Sequence, residues 1–327
     1  MNNPMQFRTT ESRRPRPGGL SSRLAGCSVL LLLAAMPAGA ELYRLASVSD
    51  SVIGVPFYVK TDAEHTLLDI GRHFGAGYDE MQQANPNVDM WVPGDDADVL
   101  VPDFHVLPST PREGLVMNLA EKRMYFFRSA TEVETFSVGI GREGWETPVG
   151  TYSIIEKIKD PTWTPPASIR KEHAEAGDPL PAVVPAGPDN PLGAFAMRLS
   201  NPSYLIHGTN KPWGVGMPVS HGCTRMYPED IERLFGKVAT GTPVRIVDEP
   251  YKVGWLGDFL YLEVNANAAQ AGGVPLEQVI PPSVAEADGV VIDWEAVRTA
   301  VNDNAGLPHL VGGRQGSRSW HHLDMIF

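Results

Sequence analysis

A proline-punctuated link, Leu107-Pro108-Ser109-Thr110-Pro111, divides the chain into two hydrophobic patterns that cannot share one layer of structure. Before it, strand-like residues bracket two helix-like stretches; after it, apolar runs of strand length follow one another across short polar turns. At 327 residues the chain is also longer than one core usually needs. The expected organisation is a small module over 55–104, a linker over 105–113 and a mainly β, sandwich-like domain over 114–250. Residues 251–327 follow as a closing strand and a C-terminal appendage of unknown role, in which Trp294, Val297 and Val301 form a helix-like stripe.

The module reads as strand, helix, helix, strand. Phe57-Tyr58-Val59 is a strand signal, and Leu67, Ile70 and Phe74 recur at helical spacing behind Asp62 and Thr66. Gly75-Ala76-Gly77 breaks that helix, Tyr78 to Ala84 forms a second, Asn85-Pro86-Asn87 turns, and Val99-Leu100-Val101 closes. In the larger domain, strands are expected at Leu115–Leu119, Met124–Phe127, Val133–Ile140, Thr151–Ile155, Tyr204–Ile206 and Val244–Val247. Pro228 to Phe235 alone reads as a helix there, with Glu229 and Asp230 in its first turn. The stretch from Lys159 to Gly193, dense in Pro and Gly, is expected to lack regular structure and to lie as a lid or wall over one sheet.

The first 40 residues are set apart by segregation of charge and apolarity. Arg8, Arg13, Arg14, Arg16 and Arg23 precede an apolar run from Leu24 to Ala35, and Ala38-Gly39-Ala40 supplies small residues for cleavage. That order predicts an export signal cut after Ala40, and the run is shorter than the ~20 residues of a membrane span. Its removal leaves Cys223 as the sole cysteine, which excludes a disulfide framework. The net charge of −12 excludes the basic surface that holds nucleic acid by counterion release.

Chemistry concentrates in Ile206-His207-Gly208 and in Ser220-His221-Gly222-Cys223-Thr224-Arg225-Met226. A thiol nucleophile needs a base, a favoured thiolate and donors for a developing oxyanion. His207 and His221 are both candidate bases, Arg225 brings positive charge, and Gly222 lets backbone approach a substrate carbonyl. A lone Cys is ordinarily a small buried hydrophobe, but that reading does not explain two His, two Gly and an Arg around it. Zinc is the competing reading, since His207, His221 and Cys223 are all ligand types. Their spacing is poor, a fourth ligand would come from scattered His173, His309, His321 or His322, and no metal is expected. Ser220 lacks the Gly-x-Ser-x-Gly setting of a serine nucleophile.

His207-Gly208 followed by the Ser220 to Met226 run resembles the signature of the L,D-transpeptidases, bacterial cell-wall enzymes with a YkuD-type domain. Thr147-Pro148-Val149-Gly150 matches the family's TPxG turn, and Pro161 to Arg170 with Pro181 to Pro191 resemble a proteobacterial subgroup. The module, with Thr66-Leu67, Asn85-Pro86 and Val101-Pro102, resembles a LysM domain, a family that binds N-acetylated glycan strands of peptidoglycan or chitin.

The resemblance implies that Cys223 attacks the bond between the L-centre of a stem diamino acid and D-Ala at position four. D-alanine leaves, and an amine resolves the thioester. It gives His207 the role of base, which spacing alone does not rank above His221, with the Gly208 carbonyl orienting the imidazole. Backbone N–H groups near Gly222 and Cys223 would form the oxyanion hole; Arg225, Ser220 and Thr224 are the expected substrate-binding residues. No cofactor is needed for such acyl transfer. The implied location is the periplasm, in association with the cell wall. The acceptor is a Braun-type outer-membrane lipoprotein lysine or a second stem peptide in a 3-3 cross-link. A cysteine hydrolase of stem peptides and an inert wall-binding protein are the alternatives.

Overall fold

The computed structural model describes residues 42–265 and 274–316. The expected signal over 1–40 lies outside them, as do His321 and His322. Strands β1 (Leu42–Arg44) and β2 (Val52–Gly54) lead into β3 (Phe57–Lys60), helices α1 (Leu67–Phe74) and α2 (Tyr78–Ala84), β4 (Asp98–Val101) and β5 (Phe104–Val106). β3 and β4 pair antiparallel, with Tyr58 opposite Leu100, and β2 pairs with β5. α1 begins at Leu67 because Thr66 caps it: the Asp69 N–H donates to Thr66 Oγ1 while the Asp69 carboxylate accepts from the Thr66 N–H. Gly75 ends it at φ +75°, a conformation open to glycine. Leu67 and Ile70 bury against Val59, Met81, Val99 and Val101.

The larger domain comprises β6 (Gly114–Asn118), β7 (Arg123–Ser129), β8 (Glu132–Gly141), β9 (Gly150–Lys159), α3 (Ala167–Glu175), β10 (Phe195–Leu199), β11 (Leu205–His207), β12 (Pro218–Ser220), β13 (Thr224–Met226), α4 (Pro228–Lys237) and β14 (Pro243–Val247). Its strands run β1-β8-β13-β11-β10-β9-β14-β6-β7, and β7 pairs again with β8. The expected sandwich-like arrangement is thus one sheet that closes on itself. β8 makes this possible, since its first half pairs with β7 and its second half with β13. Leu115, Phe136, Ile154, Met197, Ile206 and Val244 fill the interior, and α4 covers it with Ile231 and Leu234. Lys159 to Gly193 departs from its expected irregularity by containing α3. Past Pro166 the residues Ala167–Glu175 include no Pro or Gly and are mostly good helix formers.

From Tyr251 the chain builds a second sheet rather than a mere appendage: β15 (Tyr251–Leu256), β16 (Phe259–Val264), β17 (Val290–Ile292) and β18 (Pro308–Arg314) pair in the order β15-β16-β18-β17. Short helices α5 (Leu276–Val279) and α6 (Pro282–Ala285) and the longer α7 (Trp294–Asp303) accompany it. Val297 and Ala300 of α7 bury with Leu260, Leu262 and Val311. Lys252, 2% exposed, ties this sheet to the rest by reaching Glu121 at 2.6 Å and Glu263 at 2.9 Å. Among the described residues no helix is long and apolar enough to cross a membrane.

The module is docked on the larger domain despite the proline-flanked link. The Tyr78 N–H donates to Val215 O at 3.1 Å, and a Cβ on Gly77 would lie 2.6 Å from Gly216 Cα, so backbone meets backbone. Arg123 forms a two-pronged pair with Glu80, Lys122 meets Asp79 at 2.9 Å, and Arg72 meets Glu229 at 2.8 Å.

Candidate active site

His207 ends β11 and Cys223 immediately precedes β13. These strands pair in parallel, with Ile206 opposite Thr224 and His207 opposite Arg225. Side chains alternate along a strand, so Leu205, His207, Cys223 and Arg225 share one side while Ile206, Thr224 and Met226 turn into the core. Fifteen residues of intervening chain are thereby folded away, and the imidazole ends one strand while the thiol leads into its neighbour.

His207 is 4% exposed, and its Nδ1 lies 2.6 Å from Gly208 O. A carbonyl only accepts, so Nδ1 carries the proton and Nε2 is left as the basic nitrogen. Burial first, then the Arg225 charge, pushes the His207 pKa down to about 4, against a smaller upward pull from the Gly208 hydrogen bond. Gly208 itself lets Ile231 of α4 pack over the strand end, where a Cβ would lie 3.1 Å from Ile231 Cγ2.

The Cys223 thiol is also pushed up by burial, with the Leu205 N–H and the charges of Arg225 and Arg198 pulling the other way. At rest the pair is therefore neutral thiol and neutral imidazole. Cys223 Sγ lies 3.9 Å from Ser203 O. Arg225 is held below its usual range by burial and its Nε has no hydrogen-bond partner.

The turn carrying the thiol is fixed from several sides. Gly222 has φ +97°, and a Cβ there would lie 2.8 Å from Tyr204 Cε1, which accounts for glycine. Thr147 Oγ1 donates to Gly222 O at 3.0 Å and accepts from the Gly141 N–H at 2.9 Å. Ser220, 1% exposed, donates to Cys223 O and accepts from the Gly222 N–H. Thr224, 2% exposed, directs its hydroxyl to Met117 Sδ. Both depart from the expected substrate-binding role: Ser220 braces the turn from within, and Thr224 belongs to the core because strand parity turns it inward.

His221 stands among residues that the sequence reading passed over. Its Nε2 lies 2.9 Å from Glu172 Oε2 and 3.1 Å from Arg142 Nη2, and its ring meets Trp145 edge-on at 4.9 Å between centroids. Arg142 and Trp145 lie just before the TPxG turn, which was the one available signal. Glu172 lies 49 positions from His221 and gave none. Among the described residues, the one group of ligand-type side chains close enough to share an ion is His105, Glu121 and Glu263. The Lys252 ammonium already sits between those two carboxylates.

A family model for the YkuD L,D-transpeptidase catalytic domain matches residues 112–246. Probable L,D-transpeptidase ErfK/SrfK of Escherichia coli K12 is 36% identical over 305 residues, covering 88% of this chain and 97% of that protein. Probable L,D-transpeptidase YbiS of the same organism is 39% identical over 244 residues, covering 71% of this chain and 78% of that protein. Among solved structures, L,D-transpeptidase 3 of Mycobacterium tuberculosis is 17% identical and covers 64% of this chain and 98% of that one. Its TM-score of 0.32 is too low to bear on the assignment. The sequence relatives are matched through the catalytic domain and well beyond it, and the chain belongs with them to the proteobacterial L,D-transpeptidases, as an enzyme of that family.

Proposed function

We propose that the chain is a cysteine acyltransferase acting on the tetrapeptide stems of peptidoglycan. Cys223 Sγ attacks the carbonyl between the L-centre of the diamino acid and the terminal D-Ala, while His207 Nε2 takes the thiol proton. The tetrahedral oxyanion is held by backbone N–H groups near Gly222 and Cys223. Collapse breaks the C–N bond, His207 returns the proton to the leaving amine, and D-alanine departs. The thioester is then resolved by a primary amine, whose nitrogen bonds the acyl carbon and whose proton returns to sulfur by way of His207. Arg225 supports thiolate character as the bond forms. The observation that supports this reading is the parallel pairing of β11 with β13, which sets His207 opposite Arg225, two residues past Cys223.

The module over 55–104 is proposed to hold the glycan strand in LysM fashion. A groove of about 410 Å³ between it and the larger domain supports this, lined by Thr66, Asp69 and Trp91 from one side and Trp213 and Tyr227 from the other. Trp91 and Trp213 are 57% and 55% exposed, leaving indole faces for sugar rings. Export after cleavage at Ala40 and residence in the periplasm complete the reading. A Braun-type lipoprotein lysine ranks slightly ahead of a second stem as acceptor, because the Pro161 to Arg170 and Pro181 to Pro191 stretches resemble the subgroup that includes such enzymes.

Mass spectrometry of a purified disaccharide tetrapeptide incubated with the protein, with and without an amine acceptor, tests the chemistry. D-alanine release and amine adduct should both vanish in Cys223→Ala; full activity in that variant refutes the thiol. Digested sacculi of a deletion strain decide the acceptor, with loss of muropeptides bearing lipoprotein residues expected. Unchanged lipoprotein with fewer 3-3 dimers would reverse the ranking.

A further inference from the structure

The lid between β9 and β10 is anchored at its base, where the Trp163 and Val184 backbones exchange hydrogen bonds and Asn190 Nδ2 donates to Pro161 O at 2.8 Å. On its helix α3, Ile169 is buried, and Glu172 stands three residues on, along the same face. From there Glu172 reaches both sides of the thiol-bearing turn. Oε2 meets His221 Nε2 at 2.9 Å, and Oε1 accepts from Arg142, whose own N–H donates to Ser220 O at 3.0 Å. The hydrogen bonds from Arg142 and His221 draw the Glu172 pKa down, so it is a carboxylate at neutral pH.

An ionised carboxylate can only accept, and Arg142 can only donate, yet both lie against the same ring nitrogen. The shorter contact and the charge of Glu172 settle the tautomer: Nε2 carries hydrogen and donates to Glu172, while Arg142 is satisfied by Oε1 of the same carboxylate. Trp145 blocks rotation of the ring from another side. His221 is bonded through one residue to Cys223, so a fixed ring fixes the Gly222–Cys223 peptide. We propose that Glu172, supplied by the lid, is a positioning residue for acyl transfer that acts through His221. This rests on the thiol reading above but assigns a role to a residue outside it, and it makes lid placement part of the catalytic geometry.

The test is a double-mutant cycle on D-alanine release from the disaccharide tetrapeptide. Glu172→Ala should lower kcat by about tenfold, well short of the roughly 10⁴ of a fully buried orienting carboxylate, because Glu172 faces solvent. KM should stay within about twofold, and Glu172→Gln, whose carbonyl can still accept from Nε2–H, should recover part of the loss. In a His221→Ala background, Glu172→Ala should change kcat by less than about twofold, since the partner it acts through is gone. Independently of turnover, ¹⁵N-histidine spectra should show His221 as the Nε2–H tautomer and a shift to the Nδ1–H tautomer in Glu172→Ala, where Arg142 is left to donate to Nε2. Equal losses in both backgrounds, or an unchanged His221 tautomer, would overturn the proposal. Activity surviving in Cys223→Ala would instead refute the thiol reading, with the spectra still deciding the Glu172 contact.

Discussion

Replacing Glu80 by Ala should destabilise the whole protein rather than free one module from it. Glu80 sits at the start of α2, and its carboxylate accepts from Arg123 Nε and Nη2 at 2.8 Å each, from Ser137 Oγ at 2.7 Å and from the Gly77 N–H at 2.7 Å. The Arg123 side chain is 5% exposed and cannot shed its proton, so the substitution leaves a buried guanidinium hydrogen-bonded only to neutral groups of Thr135, Ser137 and Gly75. Removing one member of a buried pair costs about 3–5 kcal/mol, and losing the helix-capping contact adds about 1 kcal/mol. Against a usual total of about 5–15 kcal/mol this is a large fraction. In urea, with a slope near 3 kcal/mol per M for a protein of this size, the midpoint should fall by about 1–2 M. Tryptophan fluorescence and circular dichroism should report the same shifted transition. A midpoint change below about 0.3 M, or an early transition confined to the module with the remainder unshifted, would refute the claim that this pair holds the two parts as one body.

Four further outcomes follow from the site. With the His207 pKa near 4, Cys223 acylation should show no histidine titration around pH 6.5 and should fall only as the pH approaches 4; a midpoint near 6.5 in the rate profile would show that His207 is not desolvated. The same depression means the unfolded chain binds a proton that the folded one refuses. Stability is then undiminished above about pH 6.5 and declines by about 3 kcal/mol as the pH falls to 4, measurable by urea melts across that window. Gly222→Ala should cut acylation by about 100-fold through displacement of the turn by Tyr204, and a near-normal rate would show that the φ of +97° is not required. Chelation with EDTA should leave D-alanine release unchanged; loss restored by Zn²⁺ would revive the metal reading.

Much of the candidate site was legible because it is local. His221, Gly222, Cys223 and Arg225 are consecutive or nearly so, and His207 ends an apolar run that announces a strand. β6, β7, β8, β9, β11 and β14 were likewise visible as alternating or apolar runs, whereas β10 and the three-residue β12 and β13 gave no such run. The helix inside the lid was hidden by the prolines around it, which punctuate both ends of α3 without entering it. The sheet from Tyr251 to Arg314 was hidden because two of its strands, β16 and β18, are separated by more than forty residues, among them α5 to α7 and β17, before they pair. Ser220 and Thr224 were misplaced because residue type does not reveal which face of a strand looks inward. That is decided by register with β8 and β11.

The amino-acid order by itself supplied the groups of the candidate site: the Cys223 thiol, the His207 and His221 imidazoles and the Arg225 guanidinium, at spacings that the proposed acyl transfer can use. Tertiary structure decided which groups meet. Parallel pairing of β11 with β13 sets His207 opposite Arg225 on the strand that Cys223 leads into, the lid carries Glu172 to His221, and buried pairs at Arg123 and Lys252 weld the module and the C-terminal sheet to the larger domain, although the proline link had suggested a separate module. Contacts of this kind join residues tens to more than a hundred positions apart. Their formation depends on burial and charge pairing that exist only once the chain has closed, so no local pattern announces them.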